Sequence, residues 1–386
     1  MYFKVDDRFL TYFSDLKQVF LYVINECNLN CPQCIYKPCN YFSIGSREIP
    51  FGRAVRLISD FYEMGARKLT LLGGEPTLYG KYQGGGSLLG KLIGEAKDIG
   101  YEYVRIDTNG TFSRELFSDP GFSKVDEISF SMDGYDRRSA DAIRGDGVFD
   151  REMANIREAV SLGYRVDITC CVYQELLEKG ESGLYLMEKL IYLAADAGVG
   201  RVNYHALIKD GTPIDLWSSD LEVDVESWVR AYRHISEKIR QGVYPVSVRI
   251  PQAFVTKREF YKNPGYYGFC PAKLGERVLV HPDGIIRICS GLLCTAYGVA
   301  FYSDDKISWN EGPTNELLDH DRKKCTWCTN RGKKSYGDYV PLCFSFKPRQ
   351  DEFVYKDKLK WEEKRLPQIY GEEISGKNTD MEYQWA

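Results

Sequence analysis

The feature that most constrains the fold is a regular alternation of strand-like and helix-like segments over the first two thirds of the chain. Residues 18–26 (QVFLYVINE) are β-branched and aromatic and read as a buried strand. Residues 51–65 (FGRAVRLISDFYEMG) put Val55, Leu57, Ile58 and Phe61 on one helical face and stop at Gly65. Further strands are expected at 67–72, 102–107, 126–131, 164–173, 201–207 and 246–250, and helices at 88–99, 149–162, 183–197 and 223–241, with a short helix before 126–131. Six βα units in this order require parallel strands covered by helices. Right-handed crossovers curl such a sheet towards a barrel. A closed eight-fold barrel takes ~250 residues, so six units predict an α/β fold with a partial (β/α)6 barrel, open on one side.

The pattern changes near Asn263-Pro264-Gly265. Helical periodicity fades, and the run ERVLVHPDGIIRICS (276–290) reads as a β-hairpin turning at His281-Pro282-Asp283-Gly284. The expected organisation is an extension at 1–16, the barrel at 17–250, a small second domain at 265–345 and a charged, aromatic tail at 346–386 packed on the barrel.

Net charge is −4, which gives no bulk electrostatic reason to bind nucleic acid or an anionic membrane. No stretch reaches the ~18 apolar residues of a membrane span, and MYFKVDDRFL lacks the apolar block of a secretory signal. A cytoplasmic chain is expected. The run Gly84-Gly85-Gly86-Ser87 lacks the Lys-Ser/Thr of a phosphate loop and reads as a plain loop.

Twelve cysteines are unusual for such a chain. In a reducing compartment, clustered thiols point to metal sites rather than disulfides. Cys27, Cys31 and Cys34 have C-x3-C-x2-C spacing directly after the first strand. Three thiolates suit a four-iron four-sulfur cluster with one iron left for a small chelating molecule. With Cys39 as a fourth ligand, closed structural zinc is the alternative. In the second domain, Cys270, Cys289, Cys325 and Cys328 can close either zinc or a cubane, and spacing alone favours zinc.

The sequence CNLNCPQC (27–34), followed in order by Gly73-Gly74-Glu75-Pro76 after the second strand, resembles the radical S-adenosylmethionine (radical SAM) superfamily. The resemblance implies that the cluster's open iron chelates the methionine moiety of S-adenosylmethionine (SAM). Reductive cleavage then yields a 5′-deoxyadenosyl radical that abstracts a hydrogen atom from substrate. It also implies that Glu75 accepts from the methionine ammonium. Thr108 and Asn109, with Ser131 and Asp133, lie at the ends of the third and fourth strands, where the family contacts the ribose and carboxylate. Arg144 resembles the family's arginine after the fourth strand and would pair with the SAM carboxylate, the alternative being a surface ion pair. His205, near the end of the sixth strand, would face adenine or substrate, unless it is simply structural. One position departs from the family. An aromatic residue usually precedes the third Cys, and here it is Gln33, which keeps a backbone contact to adenine and loses the aromatic one.

Thirteen residues separate Cys270 from Gly284, Cys289 follows, and Cys325-x2-Cys328 comes later. That resembles the family's C-terminal twitch/SPASM modules. After Cys328 the sequence reads TNRGKK and lacks the remaining SPASM cysteines, so the shorter twitch type with one auxiliary four-iron cluster is expected, with Cys294 and Cys343 spare. An auxiliary cluster suits oxidation of a substrate radical. Epimerisation needs a hydrogen donor instead, and Cys171 or Cys294 are the candidates, with Cys170 beside them. Adjacent Cys170 and Cys171 point to opposite faces of one strand, so at most one faces the interior. The implied partners are a flavodoxin- or ferredoxin-type reductant and a small substrate such as a sugar or aminocyclitol in natural-product assembly. The latter rests on only 26 residues preceding Cys27, against the leader-binding domain of some peptide-modifying relatives. A peptide maturase is the second reading, and a non-catalytic, zinc-stapled binding protein the competing class.

Overall fold

The structure, a computed structural model, describes residues 1–34, 36, 46–84, 87–207, 221–250, 254–256, 258, 275–290, 298–311 and 339–341. Seven strands form the parallel core: β2 (Gln18–Ile24), β3 (Lys68–Gly73), β4 (Tyr103–Thr108), β5 (Glu127–Ser131), β6 (Val166–Val172), β7 (Arg201–Ala206) and β8 (Ser247–Arg249). They pair in sequence order, each parallel to the next, and the sheet does not close. This is the open α/β barrel that the alternation predicts. Helices α2 (Phe51–Glu63), α3 (Leu89–Ile99), α5 (Val148–Ser161), α6 (Leu186–Asp196) and α7 (Val225–Arg240) supply the crossovers and lie within a residue or three of their expected bounds. Between β4 and β5 only two short 3-10 turns occur, at Arg114–Ser118 and Phe122–Lys124. Helix α4 (Arg137–Arg144) was not expected. Its first turn is fixed by a capping box, in which Asp136 accepts from the Ser139 amide and Ser139 from the Asp136 amide.

Strand parity sorts the barrel's two faces. Outward residues Val19, Leu21, Leu69, Leu71, Ile128, Phe130, Ile168 and Cys170 are fully buried in the core beneath the helices. The inward face is mostly polar, with Phe20 of β2 and Leu72 of β3 half-buried on it. Its lower layer is a buried charge network across four strands. Arg201 of β7 donates to Asp167 of β6 (Nε–Oδ2, 2.8 Å) and to Glu127 of β5 (3.0 and 3.1 Å), and Arg105 of β4 donates to Glu127 (2.8 Å). Two guanidiniums face three carboxylates, since Arg105 Nε also donates to Asp107 (2.5 Å), and the network fixes the register of β4 to β7 by side chains as well as by the ladder.

The region after the barrel continues the same sheet. β10 (Arg277–Val280) runs parallel to β2, and β11 (Ile285–Arg287), β12 (Ala300–Tyr302) and β13 (Lys306–Trp309) follow antiparallel. The hairpin turn lies where the sequence puts it. Gly284 takes φ +85°, and the His281 amide donates to the Ile285 carbonyl (3.2 Å). Lys17 pairs with Glu276 (2.9 Å) at the seam.

Residues 1–16 are built into the fold. β1 (Lys4–Val5) adds parallel to β13, α1 (Asp7–Tyr12) follows it, and the carboxylate of buried Asp60 accepts from the Tyr2 and Phe3 amides (2.6 and 2.8 Å). A short two-stranded ladder joins β9 (Phe254–Thr256) to β14 (Tyr339–Pro341). Gly85, Gly86, the change of pattern at 263–265 and the tail at 346–386 lie outside the described residues. Among the described residues no helix is long and apolar enough to cross a membrane.

Replacing Arg201 by Met leaves buried Asp167 and Glu127 to share Arg105 alone. Breaking a buried pair in this way costs about 3–5 kcal/mol, and the expected outcome is a matching fall in the denaturant midpoint, read by circular dichroism.

Candidate functional site

The site forms at the carboxyl ends of the parallel strands, where βα folds keep their chemistry. Cys27, Cys31 and Cys34 are half-buried thiols outside any disulfide, on the loop that leaves β2. The loop lies directly on the Gly73-Gly74 backbone at the end of β3. A Cβ on Gly74 would stand 2.1 Å from the Glu26 carbonyl oxygen, and one on Gly73 would stand 2.3 Å from that of Ile24. Neither backbone atom can give way, so both positions require glycine. What the two glycines admit is the cysteine loop itself. Amides 74 and 75 donate to the Ile24 and Glu26 carbonyls (2.8 and 2.7 Å) and lock the two strand ends together.

Glu75 turns inward from this ledge. Its carboxylate accepts from the Thr77 amide and hydroxyl (3.1 and 2.7 Å), the Thr108 hydroxyl (2.7 Å) and the Asn109 amide (2.7 Å). Burial pushes this carboxyl up, and the four donors work against that. Glu75 therefore ties the β3 loop to the β4 loop, and Pro76 begins the 3-10 turn that carries Thr77. From the β4 loop, the Asn109 side-chain amide reaches the Cys27 sulfur (3.6 Å) and the Asn28 side chain (2.8 Å). The Leu29 amide also points at the Cys27 sulfur (3.4 Å).

Asp133, fully buried just beyond β5, is the second hub. Its Oδ2 pairs with Arg144 Nη2 (2.7 Å) and accepts from the Gln33 side-chain amide, and its Oδ1 accepts from the Cys171 amide (2.6 Å). The expected surface alternative for Arg144 is corrected: the pair is buried, because α4 carries the arginine inward. Burial alone works against the charge on Arg144, and Asp133, Glu152, Cys31 and Cys171 more than offset it. The cysteine loop, Asp133, Arg144 and Cys171 thus share one electrostatic neighbourhood. Glu152 of α5, unnoticed in the sequence because its neighbours are charged, is fully buried there with both carboxyl oxygens unpartnered. Burial pushes its carboxyl well above the usual range, since Asp133 already neutralises the nearest cation, Arg144.

Cys170 and Cys171 divide as strand geometry requires. Cys170 is buried in the outer core. Cys171 faces inward, its register partner is His205 of β7, and burial holds its thiol protonated. Ser131 and His205 are half-buried at the mouth. Below them Asp107, the Ser129–Thr169 hydroxyl pair (3.0 Å) and Asn203 with Arg249 (2.9 Å) line the lumen. Cys289 is half-buried after β11, within the electrostatic reach of Tyr22 on β2. Cys39, Cys270, Cys294, Cys325, Cys328 and Cys343 lie outside the described residues. A cleft of about 660 Å³, lined by Cys27, Asn28, Arg47, Lys81 and Tyr82 among others, opens beside the cysteine loop.

The donor set fits an iron–sulfur cluster. Burial pushes the Cys27 thiol up to about 11, so thiolates here need a cationic group to hold them, and two N–H donors already face the Cys27 sulfur. Among the described residues no three His, Cys, Asp or Glu side chains converge on a point that would hold a single metal ion. Thiolates on separate corners of a cubane need no such point.

Residues 21–182 match the family model described as the Radical SAM superfamily, and this part of the chain is a radical SAM domain. The family implies SAM and a four-iron four-sulfur cluster. A probable GTP 3′,8-cyclase of Sulfurisphaera tokodaii is 25% identical over 288 residues, 73% of this chain and 83% of that protein. Molybdenum cofactor biosynthesis protein 1 of Drosophila melanogaster is 27% identical over 154 residues, 40% of this chain and about a quarter (26%) of that protein's length. Among solved structures, anSMEcpe with bound AdoMet and Kp18Cys peptide aligns with TM-score 0.59 at 15% identity, over 92% of this chain and 98% of that one. Streptococcus suis SuiB bound to precursor peptide SuiA aligns with TM-score 0.55 at 15% identity, over 73% and 61%. These structural likenesses concern the fold.

Two outcomes are expected. Gly74→Ala displaces the cysteine loop, and the reconstituted protein holds less than half the iron of wild type by colorimetric iron assay. Glu152→Gln removes a carboxyl that is raised by folding. The unfolded chain releases this proton at lower pH than the folded one, so rising pH above ~4.5 destabilises wild type relative to the variant. The variant's advantage in melting temperature should grow from pH 5 to pH 8 and vanish towards pH 4.5.

Proposed function

We propose that the chain is a radical SAM oxidoreductase acting on a polar small molecule held in the barrel lumen. The reaction is oxidation (dehydrogenation) or epimerisation of a sugar- or aminocyclitol-type natural-product intermediate. The observation that carries this reading is the placement of the three-thiol loop and the Asp133–Arg144 pair over a lumen whose inward residues on β5 to β8 include carboxylate, hydroxyl, amide and guanidinium groups. A polyhydroxylated ring would find polar partners at Asp107, Ser129, Thr169 and Asn203.

Cys27, Cys31 and Cys34 hold the cluster. Gln33, Gly73, Gly74, Glu75, Pro76, Thr108, Asn109, Ser131, Asp133, Arg144 and His205 surround the cofactor, Glu75 acting chiefly by joining two loops. When bound, cluster and SAM together supply hydrogen-atom abstraction. The packed strand ends and the buried Asp133 network keep water from the reacting centre. Cys270, Cys289, Cys325 and Cys328 hold an auxiliary four-iron cluster of the twitch type that takes up the electron in an oxidation. In an epimerisation, the protonated, inward Cys171 is the hydrogen donor, with Cys294 as the alternative. The cleft beside Cys27 gives a flavodoxin- or ferredoxin-type reductant its nearest approach to the loop. A peptide substrate is the second reading, favoured by the likeness to SuiB and anSMEcpe, which were solved with peptides.

The test is a dithionite-driven assay on anaerobically reconstituted protein. Wild type should release 5′-deoxyadenosine and methionine from SAM, and Cys27→Ala should release neither. Release by Cys27→Ala, or zinc without sulfide in the metal analysis, overturns the reading.

A further inference from the structure

The inward wall of the barrel changes character between two neighbouring strands. On β2 and β3 it carries Phe20, Tyr22 and Leu72, and from β4 onward Asp107, Ser129, Thr169 and Asn203. The two halves meet at one point. Leu71 pairs with Ile106, so the next residues, Leu72 and Asp107, stand side by side, and Tyr22 is in register with Leu72. Phe20 and Leu72 are half-buried, and the Asp107 side chain is 34% exposed.

Asp107 has no cation to itself. Its Oδ1 accepts from Arg105 Nε (2.5 Å), and among the described residues no donor reaches Oδ2. The same guanidinium also serves Glu127 (2.8 Å) and Asp167 (3.6 Å). Arg201 is engaged by those two in the floor, Arg249 donates to Asn203 (2.9 Å), and Lys68 stands at the foot of β3 over the Tyr103 ring. One guanidinium divided among three carboxylates leaves the Asp107 charge only partly compensated. That charge is felt at Tyr22, whose hydroxyl is raised by burial and further by Asp107.

A carboxylate in this state favours a cationic donor over a hydroxyl, because a charge-assisted hydrogen bond is roughly twice as strong as a neutral one. With Oδ1 already engaged, a planar guanidinium cannot chelate both oxygens, whereas a compact ammonium needs only one. The apolar flank at Leu72 and Phe20 suits the hydrocarbon that carries such a group.

We propose that Asp107 receives a primary ammonium group of the substrate, whose adjoining carbons lie against Leu72 and Phe20. Asp107 is then a specificity residue that selects amines over their neutral counterparts. The inference rests on the reading that the substrate occupies the barrel lumen, and it narrows that reading to amine-bearing molecules. Such a group is carried by an amino sugar or aminocyclitol ring, or by a lysine side chain.

The test measures binding rather than turnover, by calorimetry on anaerobically reconstituted protein with SAM present. Two matched pairs are titrated: glucosamine against glucose, and N-acetyl-lysine amide against N-acetyl-norleucine amide. Wild type should bind the amine of one pair at least about tenfold more tightly than its neutral partner, the scale of one charge-assisted hydrogen bond. The pair that shows the preference identifies the source of the amine. Asp107→Asn, which keeps the shape and removes the charge, should abolish the preference by weakening the amine alone, with iron content at the wild-type value. Asp107→Ser replaces it if the first variant does not hold iron. Equal binding within both pairs by wild type overturns the proposal and leaves the lumen reading standing. So does a preference that persists in the iron-replete variant. If wild type binds none of the four probes, the lumen reading falls, and this proposal with it.

Discussion

The contact on which the site depends is backbone against backbone. The ends of β2 and β3 approach so closely that Gly73 and Gly74 leave no room for a Cβ, and amides 74 and 75 bond directly to carbonyls 24 and 26. This clamp sets where Cys27 begins its loop. It also fixes Glu75, whose four donors reach from the β3 loop to the β4 loop, and through Asn109 the path returns to the Cys27 sulfur. Three consecutive strand ends therefore move as one unit. The order of the motifs along the chain becomes a closed ring of contacts in space.

A second layer has a different physical basis. Beneath the mouth, arginines and carboxylates on four consecutive strands pair with one another in the barrel floor, where an aliphatic plug would fill the same volume. Buried ion pairs contribute little net stability compared with well-packed hydrocarbon. What they provide is register, because a one-residue slip of any of these strands would send its charge into the apolar outer layer. Above that floor polar side chains continue up to Asp107 and His205.

Much of the architecture was legible because each βα unit writes its own local pattern. The strand ends were legible for the same reason, since Gly73 and Ser131 follow directly on a hydrophobic run and Cys27 and Thr108 lie within two residues of one. The Asp133 hub was not. Gln33 and Asp133 are 100 positions apart, and nothing local ties an amide to a carboxylate over that distance. Helix α4 was missed because RRSADAIR is polar, although Asp136 and Ser139 carry a capping signal that would have started it. Glu152 read as solvated because a helix rich in charge hides which of its carboxyls turns inward. The first sixteen residues looked like an extension because two-residue β1 has no periodicity to detect; its place is set by β13, which lies three hundred residues later.

That last pairing bears on how the chain assembles as it is made. Strand β2, the origin of the cysteine loop, has β3 on one flank and β10 on the other, and Lys17 meets Glu276 across 259 positions. A nascent polypeptide leaving the ribosome would carry β2 with one flank bare until some 280 residues have been synthesised. Contacts this distant in sequence close slowly. An unpaired strand edge in the interim is an invitation to aggregate. Synthesis without the final third should therefore leave the barrel exposed along the strand that launches its thiols.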